Sequence, residues 1–269
     1  MSFALPKVMG VVNVTPDSFS DGGRFLGAPA AIAHALKLVE QGADILDIGG
    51  ESTRPGAEPV DAAEELARVL PVIEAVRARW DGPISVDTLK PAVARAAVAA
   101  GAGVWNDVSA LAGRPDSLET AAQLGCEVVL MHMQGEPRTM QADPTYGDVV
   151  AEVAAFLAHR AEQAMLAGVA RGNISLDPGV GFGKTAEHNL ALLRDLDRIV
   201  ALGFPVVLGV SRKRLIQAVD ASAADPADRL GGSLALALWG AARGCAVVRA
   251  HDVRETVQAL KLWAAVAGG

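Results

Sequence analysis

Ile45-Leu46-Asp47-Ile48-Gly49-Gly50-Glu51-Ser52-Thr53-Arg54-Pro55-Gly56 is the stretch on which the choice of fold turns. A run of strand length, Ile45–Gly49, passes without a break into a polar loop framed by glycines. Helical periodicity lies on either side, over Ala30–Glu40 before it and Ala62–Arg79 after it. The same unit of strand, polar exit and helix recurs along the whole chain. Further strands are predicted at Val8–Val14, Ile84–Val86, Gly103–Trp105, Val128–His132, Ile174–Leu176, Val206–Val210 and Val247–Arg249. Further Ala-rich amphipathic helices are predicted at Lys90–Ala100, Asp148–Ala167, Glu187–Leu202 and Ala227–Arg243, with Gly101, Gly168, Gly203 and Gly244 at or just past helix ends.

Alternation of this kind implies a parallel sheet with right-handed crossovers, either closed into a barrel or open and doubly wound. The polar exits decide between them. An open sheet gathers its ligand at one switch point, whereas a barrel collects residues from the C-terminal ends of all its strands. Here the exits carry Asn13, then Glu51 to Arg54, Asp87, Asn106-Asp107, His132, Asp177, Ser211-Arg212-Lys213, and finally Arg249 with His251. Helix N-caps also favour Asp, Asn and Ser, which accounts for Ser211 or Asp107 but not for a ring that includes Arg, Lys and His. No linker or low-complexity tract divides the chain, so residues 1–269 are expected to form one single-domain (β/α)8 barrel of the TIM type.

Composition agrees with this and excludes several functions. Hydrophobic residues make up 51% of the 269 residues and aromatics 4%, which suits an Ala, Val, Leu and Ile core and argues against disorder. A formal charge of -7, with no basic run longer than Arg212-Lys213-Arg214, argues against a nucleic-acid partner. Met1 to Lys7 lacks a basic region leading into a long apolar stretch, and the most apolar window, Leu230 to Ala242, is shorter than a bilayer span. A soluble cytoplasmic protein with no membrane partner is expected. Cys126 and Cys245 stand apart without metal-ligand spacing, as buried free thiols do.

Several motifs carry chemistry. The first loop, Asn13 to Gly23, joins Pro16, Asp17, Asp21 and a Gly-Gly pair, and long loops at a barrel mouth often serve as lids. Thr53 and Arg54 lie between glycines, where backbone and guanidinium can both approach an anion; an ordinary connection is the plainer reading. Asp177 to Thr185 imitates a P-loop, but the position six residues before Lys184 is Pro178, which has no N–H for a phosphate. Asp87 and Asp177 can be helix caps or can face a ligand's N–H groups; with Asn106 they form an acceptor trio suited to an amino-pyrimidinone edge, as in a pterin or guanine-like ring. Arg54, Lys213, Arg249 and His251 point toward an anion, with a solvated charge ring as the alternative. His34, His159 and His188 fall in or beside helices and are read as surface or packing residues, while His132 and His251 stand at strand ends.

These blocks resemble the dihydropteroate synthases. The similarity runs through Met9 to Gly23, Gly49 to Gly56, Ser85-Val86-Asp87-Thr88, Asn106-Asp107, Met131 to Gly135, Asp177 to Lys184, Ser211-Arg212-Lys213 and Arg249 to Asp252, covering essentially the whole chain in order. The resemblance implies condensation of (7,8-dihydropterin-6-yl)methyl diphosphate with 4-aminobenzoate to give 7,8-dihydropteroate and pyrophosphate. It implies that Asp87, Asn106, Asp177 and Lys213 grip the pterin, with Val108, Met133, Phe182 and Gly209 shaping the slot. Asn13, Arg54, Arg249 and His251 would hold the pyrophosphate, and Asn13 would also serve Mg2+, the expected metal. The aminobenzoate would lie against Phe19, Thr53, Pro55, Phe182 and Lys213 with its carboxylate near Ser211, where sulfonamide analogues would compete.

A dissociative reaction is expected from the same resemblance: pyrophosphate leaves first, and the arylamine attacks the pterin-stabilised cation. Asp87, Asp177, Lys213, Arg54 and Asn13 would carry the electrostatics of this step, with Asp17 and Asp21 as candidates to face the cation. A homodimer is implied too. Two other readings compete. A pterin-binding methyltransferase serving a corrinoid would have no use for the anion-directed residues, and a silent pterin-binding paralogue would be expected to have lost some of them.

Overall fold

Side-chain alternation along short parallel strands builds the frame. The structure, a computed structural model, describes residues 5–15, 27–52, 57–136 and 138–267. β1 (Lys7–Asn13), β2 (Ile45–Gly49), β3 (Ile84–Asp87), β4 (Val104–Asp107), β5 (Glu127–Met131), β6 (Ile174–Asp177), β7 (Val207–Gly209) and β8 (Val247–Ala250) are arranged in the order β6-β5-β4-β3-β2-β1-β8-β7. A parallel bridge between Leu176 and Val206 joins β6 to the chain entering β7 and closes the ring. The closed (β/α)8 barrel expected from the strand exits is therefore what forms.

Around it lie α1 (Gly27–Glu40), α2 (Ala62–Arg77), α3 (Pro91–Ala99), α4 (Ser117–Leu124), α5 (Val149–Leu166), α6 (Ala186–Arg194), α7 (Asp197–Val200), α8 (Arg214–Val219), α9 (Leu230–Ala242) and α10 (Val253–Ala267). Their starts are chemically marked. Asp61 accepts from the Glu64 amide at 2.8 Å, Asp148 accepts from Val150 and Ala151, and Thr185 with His188 forms a reciprocal capping box on α6. The predicted helix Glu187–Leu202 divides in two at Asp195. There the bonding tightens, with Arg198 and Ile199 donating to the carbonyls three residues back. The change keeps Leu192, Leu196 and Ile199 wholly buried, a spacing that in sequence looks like one continuous helix.

Two apolar layers result. Outward-facing strand residues such as Val12, Leu46, Ile48, Val86, Trp105, Leu130 and Leu176 pack against Leu38, Val72, Ile73, Ala94 and Leu157 of the helices. Each such fully buried aliphatic side chain contributes about 1.5–3 kcal/mol. Inside the barrel, Met9, Ile45, Val104, Val129, Val207 and Val247 form a separate apolar floor. Two residues further along the strands, on the same face, stand Asp47, Asn106, Met131, Gly209 and Arg249. The interior thus changes from hydrocarbon to charge within one layer, moving toward the C-terminal mouth. Cys126 and Cys245 are buried free thiols, as expected. Among the described residues, no helix is long and apolar enough to cross a membrane.

Candidate active site

A pocket opens at the mouth, lined by Asp87, Asn106, Val108, Met131, Asp177, Phe182, Gly209, Lys213 and Arg249, with Gly179 and Val180 from the β6 exit. Of the residues expected to shape the slot, Val108, Phe182 and Gly209 line it. Met131 lines it from β5, whereas Met133 is half-buried beyond the strand end and is not among the lining residues. Gly209 leaves room at the wall, since a Cβ there would lie 3.8 Å from Asp177 Oδ2.

Charges in this pocket are interlocked. Arg249 donates from Nε to Asp47 Oδ2 at 2.6 Å and from Nη2 to Asp87 Oδ2 at 3.0 Å, so one guanidinium spans two carboxylates. Burial and the negative charge of Asp47 raise the Asp87 pKa to about 7, against the opposing pull of Arg249. Asp177 is raised by burial, while the Gly179 amide at 2.7 Å and the Lys213 ammonium counteract. Burial brings Lys213 down to about 8, opposed by Asp177, and its Nζ lies 4.2 Å from the Phe182 ring centroid. A flat cationic or donor-rich ring would therefore meet acceptors at its edge and a Lys–Phe wall beside it.

The loop after β6 owes its shape to glycine. Gly179 and Gly183 have φ of 66° and 60°, and a Cβ on them would fall 1.9 Å from the His132 carbonyl oxygen and 2.3 Å from that of Gln134. Lys184, the lysine of the false P-loop, turns inward. Its buried ammonium donates to the carbonyls of His132, Gly179 and Phe182 at 3.3, 3.0 and 3.0 Å and meets His132 Nδ1 at 2.9 Å. Burial lowers its pKa to about 7, and burial together with the Lys184 charge holds His132 down at about 3, as a neutral ring. Lys184 staples the loop that carries Phe182.

The remaining expected residues stand as follows. Asn13 ends β1 opposite Gly49. Ser211 Oγ accepts from the His251 amide at 3.1 Å and also meets His251 Nδ1 at 3.1 Å. Burial and Arg249 depress His251 to about 3. Arg212, with φ of 58°, points away to form an ion pair with Asp252, leaving Lys213 to face the pocket. Phe19, Thr53, Arg54 and Pro55, with Asp17 and Asp21, lie outside the described residues. Glu51 from the second loop does not reach the pocket lining: it pairs with Lys90, which Glu65 also holds at 2.6 Å, and accepts from the Val60 amide. His188 caps α6 and stacks edge-on against Tyr146, a packing role.

Asp47 and Lys184 have roles here that the sequence does not assign to them. The signal for Asp47 was a single carboxylate in the otherwise apolar run Ile45–Gly49, because a buried acid in such a strand must have a charged or donor partner. For Lys184, the refuted P-loop left unanswered where the lysine goes.

The model of the family described as pterin binding enzyme matches residues 9–251 of this chain. The chain belongs to that family, among the dihydropteroate synthases. It is 47% identical to the dihydropteroate synthase of Haemophilus influenzae, over 99% of this chain and 96% of the relative. The Xanthomonas albilineans dihydropteroate synthase solved with 4-aminobenzoic acid superposes with a TM-score of 0.93 at 51% identity, covering 100% of this chain and 96% of the other. The same organism's enzyme in complex with 7,8-dihydropteroate gives 0.89 at 48% identity, with 100% and 96% covered. Membership of this family makes the chain an enzyme, a transferase of a pterinylmethyl group.

Proposed function

We propose that this chain condenses (7,8-dihydropterin-6-yl)methyl diphosphate with 4-aminobenzoate, releasing pyrophosphate and 7,8-dihydropteroate. The observation that carries this is the convergence of Asp87, Asn106 and Asp177 in one slot with Lys213 against Phe182, in a chain whose relatives include one solved with 7,8-dihydropteroate. Carboxylates and an amide oxygen match the donors of an amino-pyrimidinone edge, and an arylamine can lie along Phe182 and Lys213.

In this reading the reaction is dissociative. The bond from methylene carbon to diphosphate oxygen breaks first, and its electron pair leaves with the diphosphate. The ring-conjugated cation sits beside Asp87 and Asp177, the arylamine lone pair forms the new C–N bond, and the amine proton passes to solvent. No nucleophile of the protein is required; preorganised charge lowers the barrier. Arg249 and His251 stand at the β8 exit where the leaving diphosphate would be held. Asn13 offers the kind of neutral oxygen that suits Mg2+ when phosphate oxygens and water complete its shell, and no group of three or more acidic, His or Cys ligands occurs among the described residues. Bound there with Asn13, Mg2+ would supply charge neutralisation to the leaving group.

We also take the working unit to be a cytoplasmic homodimer. The exposed Leu262 and Val266, four residues apart on α10, support an apolar face on this last helix, which sedimentation would test. For the reaction, purified protein with the pterin diphosphate and Mg2+ is assayed for pyrophosphate, with and without 4-aminobenzoate, and the products are weighed by mass spectrometry. Dihydropteroate formed only when both substrates are present is the expected result. Pterin binding without turnover would overturn the proposal.

A further inference from the structure

Asp47 takes no part in the pocket lining, yet two lining residues hang on it. Its side chain is wholly buried; Oδ2 accepts from Arg249 Nε at 2.6 Å and from Asn106 Nδ2 at 3.2 Å, and Oδ1 has no hydrogen-bond partner among the described residues. A carboxylate isolated above an apolar floor would be strongly destabilising, and the guanidinium is what makes its charge tolerable. The contact to Asn106 has a further effect. An amide end can present either a donor or an acceptor, but an ionised carboxylate only accepts. The Asn106 nitrogen is therefore committed to Asp47, and its oxygen is the end left for the pocket.

We propose that Asp47 is a positioning residue that sets the amide of Asn106, and through it makes the edge formed by Asp87, Asn106 and Asp177 present acceptors alone, selective for a ring edge of N–H donors. Without it, Asn106 could turn either end to the ligand, and the match with Asp87 and Asp177 would be lost for half of its orientations. The inference rests on the pterin-site reading given above and adds the residue that enforces its polarity.

Exchanging the two functional groups tests it. Binding of 6-hydroxymethylpterin to the whole protein is measured by titration calorimetry for the unaltered chain, Asp47→Asn, Asn106→Asp and the double exchange D47N/N106D. Asp47→Asn is expected to weaken binding by about tenfold or more, because a site's polar group is no longer held for its partner. Asn106→Asp sets two carboxylates against each other and weakens it as well. In the double exchange, the amide nitrogen introduced at position 47 donates to the carboxylate introduced at position 106, whose second oxygen again faces the pocket, while Arg249 Nε gives up the acceptor that it shares with Asn106 in the unaltered chain. Affinity should then exceed that of either single variant by about threefold or more, without reaching that of the unaltered protein. A role in packing alone predicts that the two losses add. If Asp47→Asn does not fold, Asn106→Asp against the double exchange decides: tighter binding by the double supports the proposal, and a double that binds no better or does not fold overturns it. Failure of the unaltered chain to bind the pterin overturns the functional reading and this inference with it, whereas normal binding without recovery in the exchange overturns this inference alone.

Discussion

Lys184 and Lys213 leave the successive exits of β6 and β7, both feel the charge of Asp177, and both are pushed below the ordinary lysine range by burial. Lys184 is surrounded by the carbonyls of its own loop and of His132. Lys213 stands over Phe182 with its ammonium turned to the pocket. Burial and a perturbed pKa therefore do not mark a functional lysine by themselves; what separates the two is whether the protein already supplies acceptors for the ammonium. Lys184 stabilises the loop, and Lys213 is held ready for a ligand with some loss of folding stability.

The largest expected effect falls on Lys213. Lys213→Ala should lower kcat/KM by about 100- to 1000-fold, as loss of one preorganised charge does, while the thermal midpoint stays the same or rises. Full activity in that variant would break the contrast at its functional end. Lys184→Met should behave in the opposite way, leaving buried carbonyls without their donor and costing about 2–4 kcal/mol in denaturant unfolding. An unchanged midpoint there would mean that the loop holds without its staple.

A pH series sharpens the comparison on the acid side. Asp87 is raised to about 7, so a ring that donates to its carboxylate should bind well above that pH. Affinity for a pterin that does not itself titrate there should fall toward tenfold per unit below it. Asp177→Asn should leave this limb in place, because Asp87 answers to Asp47, Arg249, Glu65 and Asp107. Calorimetry between about pH 5 and pH 8 would show a flat profile if Asp87 stayed outside the binding step. His188→Ala is the smallest change, removing half of a capping box for about 0.5–1 kcal/mol with activity near that of the unaltered protein.

Much of this is legible in the amino-acid sequence. Strand exits could be read because hydrophobic runs end where polar residues begin, and the barrel then brings those ends to one mouth whatever their distance in sequence. Asp87, Asn106, Asp177, Lys213 and Arg249 are separated along the chain and line one pocket. The choice between Met131 and Met133 was not legible. Alternation assigns faces only while the chain is extended, and β5 ends at Met131. The division of Glu187–Leu202 at Asp195 was hidden for a related reason, since Leu192, Leu196 and Ile199 satisfy both one helix and two.

What the amino-acid sequence determined by itself was periodic and local: strands by runs, helices by faces, caps by Asp61, Asp148 and Thr185, and turns by Gly179 and Gly183. What only the tertiary structure decided was pairing. Asp47 and Arg249 are 202 positions apart, and nothing along the chain states that one carboxylate will orient both a guanidinium and the Asn106 amide. Such a choice follows from closing the barrel. Closure brings β8 beside β1 and removes water from its interior, and only there must every buried charge find a partner.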